Sequence, residues 1–156
     1  GGGQEGKRRS GTENVAGVVA MAKALRMSLE LREKKIDQLQ QIMGTIKSGL
    51  KQLPEITIHT PENNAAPHIL NFSLKGIKAE VFVHALEERD IYVSTTSACS
   101  SKRNAPSQTL VAMGVPADEA ASSIRMSLSY ENNQQEAEKV LKAVIDNVKR
   151  LREVMK

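Results

Sequence analysis

A long run of apolar residues at helical spacing constrains the fold of this chain more than any other feature. From about Thr12 to Leu53 the apolar side chains recur every three or four residues, and only Arg32 interrupts them. This spacing places them along one face of an α-helix. At 1.5 Å per residue such a helix is roughly 60 Å long, more than a small domain can cover. A coiled coil is the alternative, but Gly44 and Gly49 weaken it, so we expect a helix that links two domains.

After Pro54 the patterns of strands and helices alternate. Period-two or short apolar runs predict strands at 56–58, 69–74, 91–93 and 124–128. Helical spacing predicts helices at 78–89, 107–113, 118–121 and from Asn133 onward, where Asn133-x-x-Glu136 fits an amino-terminal cap. The predicted fold is α/β of the two-layer, α+β kind, with a long amino-terminal helix and a small mixed sheet of about four strands covered by helices.

Composition excludes several classes of function. The chain of 156 residues has a net charge of +4, two Tyr, two Phe and no Trp. Aromatic side chains do not interleave with basic ones, so we expect no direct nucleic-acid binding. No apolar run approaches the ~20 residues of a membrane span, and no signal-peptide pattern is present. A single cysteine excludes an internal disulfide and suits a reducing cytosol, so we expect a cytoplasmic protein.

The only cysteine, Cys99, lies in a small and polar segment. Residues 94–104 read Ser-Thr-Thr-Ser-Ala-Cys-Ser-Ser-Lys-Arg-Asn. Hydroxylated neighbours favour an exposed, mobile loop, and Lys102 and Arg103 would favour the thiolate, which is the reactive form. The alternative is that Cys99 is a small core hydrophobe, and the residues alone leave both interpretations open.

The amino terminus is rich in glycine and basic residues, and it lacks an initiator Met, which suggests part of a longer chain. Gly1-x-Gly3-x-x-Gly6 formally fits a dinucleotide-binding fingerprint, but no strand precedes it, so we reject that interpretation. Ser10-x-x-Glu13 predicts a capping box at the start of the long helix, whose first amides could also face a phosphate.

Three segments, in the same order, resemble cysteine desulfurases of the bacterial iron–sulfur and tRNA-thiolation type. They are Gly1-Gly2-Gly3-Gln4-Glu5 with Arg9-Ser10-Gly11-Thr12, Ser97-Ala98-Cys99-Ser100, and Ser122-Ser123-Ile124-Arg125-Met126-Ser127-Leu128-Ser129. The resemblance is to the carboxy-terminal part of these pyridoxal-phosphate enzymes. It implies that residues 1–14 are a loop and helix start belonging to a large domain, that 12–53 is the linking helix, and that 54–156 is the small carboxy-terminal domain of a fold-type-I enzyme.

The resemblance also implies a reaction. Cys99 would take sulfur from L-cysteine as a persulfide, leave alanine, and pass the sulfur to an acceptor protein, either an iron–sulfur scaffold or a tRNA-thiolation enzyme. Arg125 would anchor the substrate carboxylate, and Thr12 would reach the pyridoxal phosphate of the partner subunit in a homodimer. The family's cofactor-binding lysine sits in a Ser-x-His-Lys motif before the Gly-Gly-Gly stretch. This sequence has no such motif, so we expect the chain alone to be inactive.

Alternatives stand beside this interpretation. Alternation along 124–128 predicts that Arg125 lies on the face opposite the apolar side chains of its strand. There it would also suit the rim of a core, with its stem buried and its charge in water. A non-catalytic interaction module would use the long helix and the basic amino-terminal loop. A cysteine hydrolase would need a histidine to activate Cys99, and none lies near it in the sequence. The three histidines, His59, His68 and His84, lie on different elements at no ligand spacing, so we expect no metal site. The roles of His68 and Asn71 stay open.

Overall fold

Helices alternate with short strands in the computed structural model, which describes residues 2–95 and 106–154. The helices are α1 (Val15–Leu50), α2 (Ala79–Glu87), α3 (Gln108–Ala112), α4 (Ala117–Ala121) and α5 (Gln134–Val154). The strands are β1 (Ile56–Ile58), β2 (Ile69–Leu74), β3 (Ser94–Thr95) and β4 (Ser123–Ser127). Cys99 lies outside the described residues.

The chain divides into two compact units, Gly1–Lys35 and Ile36–Lys156, and the boundary falls within α1. In the first unit the large apolar side chains of α1 are exposed, from 67% for Met21 to 42% for Leu31. In the second unit the α1 side chains join a hydrophobic core from Leu39 onward, and Ile46 and Leu50 are fully buried. The predicted apolar face is therefore continuous in sequence, but this structure buries it only in the second unit.

The first helix begins later than predicted, and a different residue caps it. The expected capping box of Ser10 and Glu13 is wrong, because Glu13 pairs with Arg9 at 3.1 Å and α1 starts at Val15. Asn14 is the cap: its Oδ1 accepts a hydrogen bond from the backbone N–H of Gly17 at 3.0 Å. Asn favours this position because its side-chain oxygen satisfies an amide that has no partner in the first turn.

The four strands form one sheet in the order β1-β2-β4-β3, and every described pairing is antiparallel. The number of strands was predicted correctly, but the expectation of a mixed sheet was wrong. The helical crossover through α2 does make β2 and β3 run in the same direction. The two strands are not neighbours, however, because β4 lies between them and runs opposite to both.

The third strand was predicted at 91–93 and lies instead at Ser94–Thr95. The chain leaves α2 through Asp90, whose φ of 59° is left-handed, and the N–H of Ile91 donates to Leu86 O at 3.1 Å. This hydrogen bond closes the end of α2, so the amide of Ile91 is not available for a sheet ladder. Ile91 itself is buried, with 8% of its surface exposed.

The core lies between one face of the sheet and the helices. Phe72 of β2, Ile124 of β4 and Phe82 of α2 are fully buried there, together with the second part of α1 and one side of α5. The capping box predicted for α5 is confirmed. Asn133 Oδ1 accepts from the N–H of Glu136, and the Glu136 carboxylate accepts from the N–H of Asn133, both at 3.0 Å.

Candidate functional site

The strand register places a row of polar residues on the sheet face that points away from the core. Asn71 of β2 pairs with Arg125 of β4, and Arg125 pairs in turn with Ser94 of β3. Directly paired residues in neighbouring strands point to the same side of a sheet. Along β4, Arg125 is exposed between the buried residues Ile124 and Met126. The prediction that Arg125 lies on the face opposite the apolar side chains of its strand is therefore confirmed.

A cavity of about 350 Å³ opens over this polar face. Its walls come from the sheet, from the segment that follows β1, and from α3 with the residues before it. The lining residues are His59, Thr60, Pro61, Ala66, Ile69, Asn71, Thr95, Ser107, Thr109, Leu110, Met113 and Arg125. The volume is at the lower end of the range for small-molecule sites, and it suits a ligand of the size of an amino acid.

Arg125 carries the charge of the described cavity lining. Among the described lining residues it is the one permanently charged group, and none of them is acidic. The guanidinium takes part in no hydrogen bond or ion pair with another described residue. A guanidinium presents a planar fork of donors that matches a carboxylate through two parallel hydrogen bonds. The site can therefore bind a small carboxylate.

Asn71 joins the sheet to the wall of the cavity. Its N–H donates to the hydroxyl of Thr60 at 2.7 Å, and its carbonyl accepts from the N–H groups of His59 and Thr60 at 2.9 and 3.3 Å. These bonds hold the segment after β1 against β2. The side-chain Oδ1 of Asn71 is buried and has no hydrogen-bond partner among the described residues.

His59 forms a second buried polar group beside this wall. Its side chain is 4% exposed, its Nε2 lies 2.9 Å from the hydroxyl of Ser73, and Glu119 of α4 lies 3.9 Å away. Burial lowers the pKa of His59, and the nearby Glu119 carboxylate offsets part of this shift. The ring is therefore neutral near pH 7, because burial disfavours the charged form. Sequence reasoning weighed His59 only as a metal ligand and missed this place in the cavity wall.

Thr12 and Cys99 were the other residues predicted for the site. Thr12 is exposed in the unit Gly1–Lys35, where its carbonyl accepts from Arg9 Nη1 at 3.4 Å. Cys99 falls outside the described residues, so its distance from Arg125, or from any histidine, is untested. Within residues 2–95 and 106–154, no three His, Cys, Asp or Glu side chains form a metal-binding group. Nor does any helix in those ranges combine the length and apolar character needed to cross a membrane.

Comparison with known proteins supports the resemblance seen in the sequence. The aminotransferase class-V family model matches residues 2–140. A NifS/IcsS protein homolog of Lactobacillus delbrueckii subsp. bulgaricus is 46% identical over 144 residues, which make up 92% of this chain and 37% of that protein. The cysteine desulfurase IscS of Clostridium botulinum is 33% identical over 157 residues, covering 99% of this chain and 40% of that protein.

Solved structures give the same result for the fold. A NifS-like protein matches 97% of this chain with a TM-score of 0.76 and 32% identity, over 37% of its own length. A NifS-like protein from Rickettsia africae matches 94% of this chain with a TM-score of 0.74 and 28% identity, over 38% of its own length. The chain thus spans 37 to 40% of these relatives. It corresponds to the carboxy-terminal portion of the NifS-like structures, which confirms the predicted fold.

Proposed function

Because this chain belongs to the class-V aminotransferase family and is a homologue of cysteine desulfurases, we propose that it is the carboxy-terminal part of such an enzyme. The complete enzyme would take sulfur from L-cysteine, release L-alanine, and transfer the sulfur through Cys99 to an acceptor protein. That acceptor would serve iron–sulfur cluster assembly or tRNA thiolation. The observation that carries this proposal is the cavity at Arg125. Among the described residues, the guanidinium has no partner and the cavity walls hold no acidic side chain.

Arg125 is the group that we assign to the substrate carboxylate. Two parallel N–H···O bonds would fix both the position and the orientation of the amino acid. The absence of a carboxylate from the described walls means that no internal anion competes for the fork. Neutral His59 adds no second cation near pH 7. The arrangement therefore favours a ligand with one carboxylate over a dicarboxylate.

Cys99 is the group that we assign to sulfur transfer. Its thiolate would attack the sulfur of the substrate, so that an S–S bond forms and the bond between that sulfur and the substrate's β-carbon breaks. The electron pair of the broken bond stays on the substrate, whose β-carbon then takes up a proton to give alanine. Lys102 and Arg103 follow Cys99 closely in sequence and would favour the thiolate form on which this attack depends.

The family depends on pyridoxal phosphate, which supplies an electron sink when it is bound. The described residues fit the phosphate end of this group, because Thr12 is exposed and the exposed cations Lys7 and Arg8 lie close to it in sequence. We assign Thr12 to the phosphate of the partner subunit's cofactor in a homodimer. We also propose that residues 1–14 belong to a large domain, that 12–53 is the helix that links the two domains, and that 54–156 is the small carboxy-terminal domain.

Substitution of Arg125 by Lys in the complete enzyme tests the assignment. Lys keeps the charge but loses the fork, so the KM for L-cysteine should rise roughly 10- to 100-fold, as expected for the loss of a charge-assisted hydrogen bond. The melting temperature should stay nearly unchanged, since the guanidinium has no described partner. Arg150→Lys is the matched control, because Arg150 pairs with Glu88 on the surface at 3.1 Å. Collapse of stability with an unchanged KM would support the rim-arginine alternative.

A second candidate function is a non-catalytic interaction module. The exposed apolar side chains of α1 in the first unit favour it, since Val15, Val18, Met21 and Leu25 are each at least 58% exposed. Such a module needs no activated thiol, whereas a desulfurase does. The rate of Cys99 alkylation against pH separates the two: a rate equal to that of a free cysteine with a pKa of about 8.5 favours the module.

A further inference from the structure

Two hydrogen-bonding side chains that have no partners among the described residues lie on neighbouring strands of the polar sheet face. Asn71 and Arg125 are direct partners in the register of β2 and β4, and both line the cavity. The Oδ1 atom of Asn71 is a buried acceptor with no described donor. The guanidinium of Arg125 carries five donors and has no described acceptor. Directly paired residues have Cβ atoms about 5 Å apart, which is within reach of a long side chain.

The main-chain N–H groups around Asn71 already donate to other acceptors. Its own N–H donates to the hydroxyl of Thr60, and the N–H groups of His59 and Thr60 both donate to its carbonyl oxygen. The imidazole of His59 is engaged with Ser73. A buried acceptor left unpaired is costly, so native proteins normally satisfy it. Arg125 is the residue that the register brings to it with donors to spare.

We propose that Asn71 is a positioning residue for Arg125. When a carboxylate draws the guanidinium into the cavity, Asn71 Oδ1 accepts one of its N–H groups. Because the guanidinium is planar and rigid, one bond to a fixed acceptor sets the plane of the whole group. Two other N–H groups then point together at the ligand. The inference rests on the proposed function, since it takes Arg125 as the anchor of the substrate carboxylate.

Asn71→Leu in the complete enzyme tests the role, because Leu has a similar shape but no acceptor. We expect the KM for L-cysteine to rise about tenfold, the effect of losing one charge-assisted hydrogen bond, while kcat changes less than about twofold.

The matched control is Asn147→Leu. The Oδ1 of Asn147 is also buried and has no partner among the described residues, but its Nδ2 donates to Ala85 O in the core and Asn147 does not line the cavity. The Asn147→Leu substitution should change the melting temperature and leave the KM for L-cysteine unaltered. If Asn71→Leu does not fold, Asn71→Ser is used, which is too short to reach Arg125.

A double-mutant cycle with Arg125→Lys distinguishes two roles of Asn71: positioning the Arg125 guanidinium, or only stabilising the strand β2. If Asn71 acts through the fork, its substitution should raise the KM less than about twofold once Arg125 is Lys, because neighbours that act together are not additive. An equal effect in both backgrounds, or no effect in either, would overturn the inference. An Arg125→Lys enzyme with a normal KM would instead refute the assignment of Arg125 itself, so the two failures are distinguishable.

Discussion

The imidazole of His59 is titratable and buried. Burial lowers its pKa in the folded protein, and Glu119 at 3.9 Å works in the opposite direction. In the unfolded chain the ring should titrate near its ordinary pKa of about 6.5. The unfolded state therefore binds more protons than the folded state as the pH falls below that value. By linkage, the stability that neutral His59 allows is fully present above pH 6.5 and is lost progressively below it.

Urea unfolding at pH 7.5 and pH 5.5 checks this linkage. The wild-type chain should be less stable at pH 5.5, and His59→Gln should reduce the difference because it removes the buried titrating group. His84→Gln controls for the replacement of a histidine by glutamine, since the side chain of His84 is 76% exposed. A His59→Gln chain that loses as much stability as the wild type would show that other groups cause the pH dependence.

The sheet face on which a side chain lies could be predicted from sequence where it depends on the pattern within a single strand. Arg125 was assigned to the correct face of β4 because alternation within that strand is sufficient. Asn71 and His59 could not be placed in the cavity, because their position depends on the register between β2 and β4 and on a ten-residue connection, 59–68, from β1 to β2. Register is set by pairing and turn geometry, which the pattern within one strand does not contain.

Two glycines within α1 differ sharply in their surroundings. A Cβ atom added to Gly49 would lie 2.5 Å from Leu141 Cδ2 of α5, whereas one added to Gly44 would meet nothing within 4 Å. Gly49 thus permits close packing of α1 against α5, and Gly44 is exposed. The same substitution should therefore have opposite effects at the two positions.

Gly44→Ala should stabilise the chain by about 0.5 to 1 kcal/mol, because Ala loses less backbone entropy in a helix. Gly49→Ala should destabilise it by about 1 to 2 kcal/mol, since crowding of Leu141 outweighs that gain. Chemical unfolding of both variants measures the difference. Equal stabilisation by the two substitutions would mean that α5 moves away at little cost.

The helices and strands themselves could mostly be predicted. Six of the elements lie within two residues of their expected bounds, as for α2 at 79–87 against 78–89 and β4 at 123–127 against 124–128. The clearest error is β3, because its position depends on the left-handed turn at Asp90, after the end of α2, rather than on the apolar run that follows. Left-handed backbone at a residue other than glycine is uncommon, and nothing in the local pattern indicated it.

At the scale of the whole molecule, the chain should not desulfurate cysteine alone. It has no lysine in the Ser-x-His-Lys motif of the family, so the chemistry of the cofactor would have no covalent anchor. Mixed with pyridoxal phosphate and L-cysteine, it should release no more alanine and sulfide than a Cys99→Ser variant, which accounts for release by the free cofactor. Turnover that depends on Cys99 would contradict this prediction.

The strand order has a consequence for the growing chain on the ribosome. β4 is the last strand to be made, yet it lies between β2 and β3. From the completion of β2 at Leu74 until Ser127 has been added, one edge of β2 has no partner. At synthesis rates of 5 to 20 residues per second, this interval lasts roughly 3 to 10 s. An open edge is a template for pairing with another chain, so the nascent protein is most liable to aggregate during those seconds and least so once the centre of its sheet is filled.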